Sequence, residues 1–278
     1  MAGAVEDLMR EFADLSLPST VGSKSSAGSS AALLAGIDAA IVKSRPDWSA
    51  VRVERASIYI PDLPKSKVDL LERREPVEAS GVFDVQIAPA PFSRGGVRVA
   101  HYARVKVDGA WKDYVAKQFI EPKNRTRGMV LDTLEGNSVT KFLAAEWMRT
   151  AAGKATGKVV ECIEARALLL NRDGREVWYH LEGLIPAKFE KWTDNGGYAE
   201  PTAPALLLFA EWTHTWTDGF MMVTDIQGAE SAHGYTLTDP AVLCKDLSRF
   251  KPTNFHRSQF ISCLTAIRHA LKLLAWRL

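Results

Sequence analysis

The sequence predicts a protein of mixed α and β structure, with antiparallel strand pairs and several helices in one large domain or two modest lobes. Two pairs of strand-like runs are joined by Asp-Gly turns, at Asp108-Gly109 and at Asp173-Gly174, which is the pattern of a β-hairpin. Apolar residues recur at helical spacing over 139–148, and 203–216 reads as an apolar helix. The length of 278 residues is sufficient for such a core.

The composition is that of an ordinary globular protein, with 46% hydrophobic and 24% charged residues. A formal net charge of +2 is too small to indicate a nucleic-acid partner or an acidic membrane surface. The three widely spaced cysteines indicate reduced thiols in an intracellular protein. We see no apolar run of about 20 residues and no secretory signal, so the expected location is cytoplasmic, without a membrane span.

The first 47 residues are expected to form an appendage to a domain at 48–278. Val5, Leu8, Met9, Phe12 and Leu15 form the apolar stripe of a short helix. The stretch 19–30 is rich in Ser, Gly and Ala, which predicts a flexible linker. This appendage is either a docking helix for a partner or a loosely packed tail.

Runs that alternate or are continuously apolar predict the strands of the domain. They occupy 51–60, 82–87, 97–107, 111–119, 159–170 and 177–184. A further short apolar run, 220–223, predicts a buried strand that follows the helix at 203–216. A polar loop that ends in glycines, 189–197, precedes that helix.

The first hairpin carries a lysine and two adjacent glycines that suggest an anion site. Alternation places Lys117 among apolar neighbours, which is costly unless the ammonium meets an anion; the alternative is a side chain that extends to the sheet edge. Gly95-Gly96 opens the hairpin, where backbone amides can approach an anion, and Arg98 is close enough to reach phosphate.

Two carboxylates and one amide follow the buried run 220–223. Asp225 stands where that strand ends, and Gln227 shares its face if the strand continues. Asp239 follows after a short spacer. Oxygen ligands on two nearby loops suit a magnesium ion that bridges to phosphates. The alternative is that Asp225 caps a turn and Asp239 starts a helix.

Five segments, in this order, carry a resemblance to a known family. They are Pro91-Phe-Ser-Arg-Gly-Gly-Val-Arg98, Val115-Ala-Lys117, Glu182 with the loop Lys191-Trp-Thr-Asp-Asn-Gly-Gly197, Val223-Thr-Asp-Ile-Gln-Gly228, and Leu237-Thr-Asp-Pro240. Together they resemble the alpha-kinase family of atypical protein kinases, which includes the myosin heavy chain kinases and kinase domains fused to certain ion channels. The resemblance covers roughly residues 90 to 255.

The resemblance implies an α+β, two-lobed, protein-kinase-like fold with ATP between the lobes. The N-lobe, about 48–185, is expected to be mainly antiparallel sheet, and the C-lobe, about 186–278, mixed α/β. The implied cofactors are ATP and Mg²⁺, and the implied partner is a protein with a Ser/Thr acceptor.

The resemblance also implies a role for each matching residue. Asp225 resembles the catalytic aspartate and Lys191 the lysine near the transferred phosphate. The expected magnesium ligands are Gln227 and Asp239. The expected nucleotide-binding residues are Lys117 and Arg98 at the phosphates, Glu182 at the adenine, and Gly95, Gly96, Asn195 and Gly196 through their backbone.

The sequence departs from the family pattern where relatives bind zinc. Glu211 occupies the position that resembles the first histidine ligand, and the usual C-terminal ligands are missing. We expect no zinc and a helix at the C-terminus held by apolar packing; irregular combinations of Cys244, His256, Cys263 and His269 are the alternative. The expected function is an ATP- and Mg-dependent serine/threonine protein kinase. The alternatives are a nucleotide-binding pseudokinase scaffold and a kinase that acts on a small molecule.

Overall fold

A computed structural model describes residues 41–72, 81–254 and 257–275. The helix and linker predicted before residue 41 lie outside the described residues, as does His256. None of the helices within these ranges has both the length and the apolar character that crossing a membrane requires.

The described strands and helices alternate along the chain. The strands are β1 (Glu54–Tyr59), β2 (Val82–Ile87), β3 (Ser93–Arg94), β4 (Arg98–Val107), β5 (Ala110–Phe119), β6 (Val159–Cys162), β7 (Ala165–Arg172), β8 (Arg175–Gly183), β9 (Glu190–Lys191), β10 (Met221–Thr224), β11 (Gln227–Glu230), β12 (Gly234–Leu237) and β13 (Ala241–Cys244). The helices are α1 (Lys67–Leu71), α2 (Arg127–Arg149), α3 (Ala151–Ala155), α4 (Pro204–Trp216) and α5 (Arg257–Ala275).

The first lobe is a seven-stranded sheet in the order β2-β1-β7-β8-β5-β4-β3. All its pairings are antiparallel, and β2 also pairs with β4, so the sheet closes on itself. The alternating inward residues of these strands form its core: Ala56, Ile58, Val85, Ala103, Val105, Ala116, Leu168, Leu170 and Leu181. The predicted antiparallel N-lobe is confirmed.

The β4–β5 hairpin forms at the predicted turn. Val107 pairs with Ala110, and the two turn residues Asp108 and Gly109 have φ values of 52° and 79°. Positive φ at both central residues matches the right-handed twist of the flanking strands, and Asp and Gly tolerate it best. The register that follows from this turn sets Lys117 opposite Ala100.

The predicted strand 159–170 is wrong, because the chain divides there into two strands of different sheets. β7 joins the first lobe, whereas β6 pairs in parallel with β12, with Val160 opposite Tyr235. β6 therefore belongs to a four-stranded sheet of the second lobe, in the order β6-β12-β11-β9. The expected N-lobe range of about 48–185 thus contains one strand of the other lobe.

Helix α2 connects the two lobes. Its first half packs on the first sheet through Val130, Leu131 and Leu134, and its second half enters the core of the second lobe through Leu143 and Trp147. Thr126 caps the helix, since its side chain accepts a hydrogen bond from the Met129 amide. The helix begins well before the predicted stripe at 139–148.

The second lobe is organised around α4, which is buried along most of its length. Its core also contains β10, whose residues are all buried, and the buried face of α5. β10 pairs with β13 in an antiparallel ladder, with Val223 opposite Val242. This packing supports the end of β10, where Asp225 follows, as predicted.

Residues 42–45 contact the first lobe. The Val42 amide donates to the Pro91 carbonyl at 2.8 Å, the Tyr102 hydroxyl donates to the Lys43 carbonyl at 3.1 Å, and Arg45 forms an ion pair with Asp113 at 2.6 Å. The predicted appendage boundary at residue 47 therefore lies within a segment that packs on the sheet.

Candidate active site

A cleft of about 610 Å³ lies between the two lobes, a volume typical of small-molecule sites. Most of the predicted site residues line it, although they are spread over more than 140 positions of the chain. They are Gly95, Gly96, Arg98, Lys117, Glu182, Lys191, Asp225, Gln227 and Asp239.

Lys117 is a buried cation of the cleft. Its ammonium lies 2.8 and 2.9 Å from the two carboxylate oxygens of Glu182 and donates to the Thr238 hydroxyl at 3.3 Å. β5 lies between β4 and β8, so Lys117 does not reach a sheet edge, and only 12% of its side chain is exposed. Burial lowers the pKa of Lys117, and the charge of Glu182 opposes that shift. The ammonium therefore meets a carboxylate of the protein, and the phosphate-binding role expected of Lys117 stays a prediction.

Glu182 is paired with groups of the protein itself. Burial alone would raise the pKa of Glu182, but Lys117 and His180 hold that pKa well below its ordinary value. Its side chain is 2% exposed and bonded to Lys117 and Thr238. The carboxylate therefore holds Lys117, and the contact with an adenine that we expected of Glu182 stays a prediction.

Arg98 and Asp239 form the second ion pair of the cleft. An Nη2 of Arg98 contacts Asp239 Oδ1, and Lys117 Nζ lies 3.5 Å from Asp239 Oδ2. Asp239 has φ of 56° and stands in the tight turn between β12 and β13, so it does not start a helix. That turn brings its carboxylate between the two cations.

Asp225 stands at the opposite side of this group, after the last residue of β10. The strand does not continue, because Asp225 has φ of 54° and turns the chain into β11. β11 pairs with β9, with Gln227 opposite Lys191, and this pairing sets Lys191 Nζ 2.5 Å from Asp225 Oδ1. Burial raises the pKa of Asp225, and Lys191 opposes that shift.

Gln227 connects the two acidic residues. Its amide nitrogen lies 3.3 Å from Asp225 Oδ2 and 3.1 Å from the Asp239 carbonyl. Gln227 and Asp239 both line the cleft, and each carries a side-chain oxygen. The two oxygens are hard donors of the kind that Mg²⁺ prefers when it keeps waters and phosphate oxygens as its other ligands. In the described part of the chain, no three His, Cys, Asp or Glu side chains are grouped as a complete metal site.

Asn195 and Gly196, which we expected at the nucleotide, do not line the cleft. The Asp194 carboxylate accepts hydrogen bonds from the Gly196 and Tyr198 amides, both at 2.8 Å. The Asn195 carbonyl accepts from the Gln259 side chain of α5 at 2.8 Å. The glycine-rich loop is therefore a turn closed by Asp194 and docked on α5. The nucleotide contact expected of this loop stays a prediction.

Sequence reasoning missed two residues at the base of the cleft. Thr238 bonds both Lys117 and Glu182, and its position next to Asp239 is the only sequence signal for it. His180 lies 2.9 Å from Glu182 through Nε2. Its alternation with Glu182 on β8 signals that the two side chains share a face.

Helices α4 and α5 are joined by an ion pair where relatives were expected to bind zinc. Glu211 is completely buried, and its Oε1 accepts from Arg268 Nε at 3.1 Å and Nη2 at 2.8 Å. The expected apolar packing is also present, since Ile267 and Leu271 are buried in the same core. A carboxylate already paired with a guanidinium does not fit a zinc site.

The sequence is similar to a known family and to two of its characterised members. The model of the alpha-kinase family matches residues 93–266. The alpha-protein kinase vwkA of Dictyostelium discoideum is 26% identical over 181 residues, and the eukaryotic elongation factor 2 kinase of Caenorhabditis elegans is 28% identical over 167 residues. These alignments cover 64% and 58% of this chain but only 28% and 20% of those relatives.

The fold is also that of a solved structure. The alpha-kinase domain of myosin heavy chain kinase A, in complex with AMP, superposes with a TM-score of 0.63 at 15% sequence identity. The match covers 80% of this chain and 99% of that domain. The similarity establishes a two-lobed α+β kinase fold.

Proposed function

This chain belongs to the alpha-kinase family, and from that premise we propose that it is an ATP- and Mg²⁺-dependent protein serine/threonine kinase. The observation that carries the proposal is the meeting of Lys117, Asp239 and Asp225 in one cleft, with Lys117 Nζ 3.5 Å from Asp239. Phosphoryl transfer depends on positioning and on neutralising phosphate charge, and a cleft in which cations and carboxylates lie side by side is suited to both.

Lys117, Arg98 and Lys191 are the residues that bind the triphosphate. Each is paired with a carboxylate: Glu182, Asp239 and Asp225, respectively. These pairs keep the cations in place without leaving an unpaired buried charge. A phosphate that takes Arg98 from Asp239 leaves that carboxylate available as a metal ligand.

Gln227 and Asp239 are the residues that would hold magnesium, through the oxygens described above. When bound, Mg²⁺ supplies positive charge to the phosphate oxygens. The protein contributes the positions of the two donors, since Gln227 is the first residue of β11 and Asp239 lies in the turn between β12 and β13.

Asp225 orients the acceptor hydroxyl and takes up its proton. Burial raises the pKa of this carboxyl, which makes it a better base, while Lys191 keeps it ionised. The hydrogen bond from Gln227 to Oδ2 sets the orientation of the group.

A transfer assay with Asp225→Asn tests the proposal. Wild-type protein is incubated with γ-labelled ATP, Mg²⁺ and basic, threonine-rich peptides, and label on the peptide is measured. Loss of the base is expected to lower the rate about 10²- to 10⁴-fold. The matched control is Asp108→Asn, which makes the same change at an exposed turn residue and retains full rate.

The alternatives give different results in the same assay. ATP binding without transfer to any acceptor indicates a pseudokinase scaffold. Transfer to a small hydroxyl compound but to no peptide indicates a small-molecule kinase. Failure to bind ATP with Mg²⁺ contradicts the proposal itself.

A further inference from the structure

His180 lies beneath the cleft lining, in contact with Glu182 and Arg98, which are part of that lining. It is 1% exposed, and on the β5–β8 ladder it pairs directly with Lys117. Its side chain is on the same face of β8 as that of Glu182, two residues later. The imidazole therefore lies among three charged groups, those of Lys117, Glu182 and Arg98.

Both ring nitrogens of His180 face one of these groups. Nε2 lies 2.9 Å from Glu182 Oε1, and Nδ1 lies 3.4 Å from Arg98 Nη1. A carboxylate only accepts hydrogen bonds and a guanidinium only donates them. These partners assign the proton to Nε2 and leave Nδ1 as the acceptor for Arg98.

The remaining neighbour of Nδ1 does not compete for this role. Thr133 Oγ1 also lies 3.4 Å from Nδ1, but its hydroxyl donates to the Val130 carbonyl at 2.8 Å. A hydroxyl has a single proton to donate. Arg98 is thus the donor that satisfies Nδ1.

A neutral ring is required for this arrangement, because a protonated ring would direct a second N–H at Arg98. Burial lowers the pKa of His180 to about 4; Glu182 opposes that shift, and Arg98 and Lys117 add to it. At neutral pH the ring therefore adds no charge and carries one donor and one acceptor.

We propose that His180 is a positioning residue that links the two phosphate-binding cations. It holds Arg98 through Nδ1 and holds Glu182, and through Glu182 the ammonium of Lys117, by way of Nε2. The proposal rests on the proposed function, because it assigns Arg98 and Lys117 to the phosphates. It adds a selectivity role: His180 favours ligands that carry phosphates over the bare nucleoside.

Binding of two ligands to His180→Phe tests this role. Phenylalanine fills a similar buried volume but makes neither of these polar contacts. The affinity for AMP-PNP with Mg²⁺ is expected to fall about 10- to 100-fold, the range for lost hydrogen bonds to charged groups. The affinity for adenosine, which has no phosphate, is expected to change less than about twofold. Both constants are measured by isothermal titration calorimetry.

Two further variants separate positioning from structural support. His180→Gln keeps one donor and one acceptor and is expected to recover at least half of the loss on a logarithmic scale. The matched control is His101→Phe, a change of the same kind on β4 outside the cleft lining, which is expected to leave both affinities unchanged.

Equal loss of AMP-PNP and adenosine affinity in His180→Phe would overturn the proposal, because it indicates general damage to the cleft. So would unchanged AMP-PNP affinity, or a loss in His180→Gln as large as in His180→Phe. If wild-type protein does not bind AMP-PNP more tightly than adenosine, the proposed triphosphate site fails as well. A failure of His180 alone leaves the wild-type preference intact.

Discussion

Removal of Arg268 tests the ion pair that joins α4 and α5. Arg268→Met leaves the Glu211 carboxylate completely buried without its cation. Burial already raises the pKa of Glu211, and Arg268 opposes that shift. An unpaired buried charge typically costs about 3–5 kcal/mol of unfolding free energy.

Protonation of Glu211 limits this cost, so the effect depends on pH. The ordinary pKa of this group is 4.5. Neutralising it at pH 7.5 costs about 3 units × 1.36, or ~4 kcal/mol, whereas at pH 5.0 the cost is ~0.7 kcal/mol. The expected loss is therefore about 3–4 kcal/mol at pH 7.5 and about 1 kcal/mol at pH 5.0, including some lost packing of the arginine stem.

Calorimetric melting of wild type, Arg268→Met and the double variant Glu211→Gln/Arg268→Met measures this effect. The loss at pH 7.5 corresponds to a decrease in Tm of roughly 6–16 °C for a chain of this size. The double variant, which buries no charge, is expected to recover most of it. A decrease in Tm that is the same at both pH values, or a double variant less stable than Arg268→Met, would refute the reasoning.

Three other outcomes are expected. Lys191→Ala removes the charge that lowers the pKa of Asp225, so the acid limb of the rate–pH profile should move to higher pH. An unmoved limb would show that Lys191 does not set the pKa of Asp225. Gly228→Ala should destabilise the fold by at least ~2 kcal/mol in urea melts, since its Cβ would lie 2.0 Å from the Thr236 carbonyl oxygen at φ of 151°; a neutral effect would contradict the close approach of β11 to β12. His180 has a pKa of about 4 in the fold and 6.5 ordinarily. The unfolding free energy therefore includes its full contribution above pH 6.5 and loses up to roughly 3 kcal/mol as pH falls toward 4. Urea unfolding should show that His180→Phe loses less unfolding free energy than wild type between pH 7 and pH 4.5. An equal loss in both proteins would show that His180 is not the group that titrates.

Local signals were sufficient for much of the fold. The β4–β5 hairpin was predictable because Asp108-Gly109 and its flanking alternation determine turn and register together. The end of β10 was predictable because a buried apolar run stops at a polar residue with turn propensity. The resemblance then connected these local elements to one cleft.

Non-local pairing was not predictable from the sequence. The run 159–170 reads as one strand, and no Gly or Pro marks the change of sheet between β6 and β7. The change is caused by β12, more than 70 residues later, which pairs with β6. Period and propensity carry no information about such a partner.

Buried polar groups also escaped prediction. The first half of α2 buries Asp132, Glu135 and Asn137 beside Val130, Leu131 and Leu134, so polar residues interrupt the apolar stripe that marks a helix. In the loop after β9, glycine content suggested an approach to nucleotide, whereas the Asp194 side chain closes the loop on itself. Glu211 was recognised as a departure, but its partner Arg268 lies 57 residues away and has no local signal.

A structure of the protein with AMP-PNP and Mg²⁺ tests the central claim most directly. The account predicts that the triphosphate lies in the interlobe cleft, with Lys117 and Arg98 on its phosphates and the terminal phosphate directed to Asp225. A nucleotide bound outside that cleft, or phosphates turned away from Lys117, would contradict it.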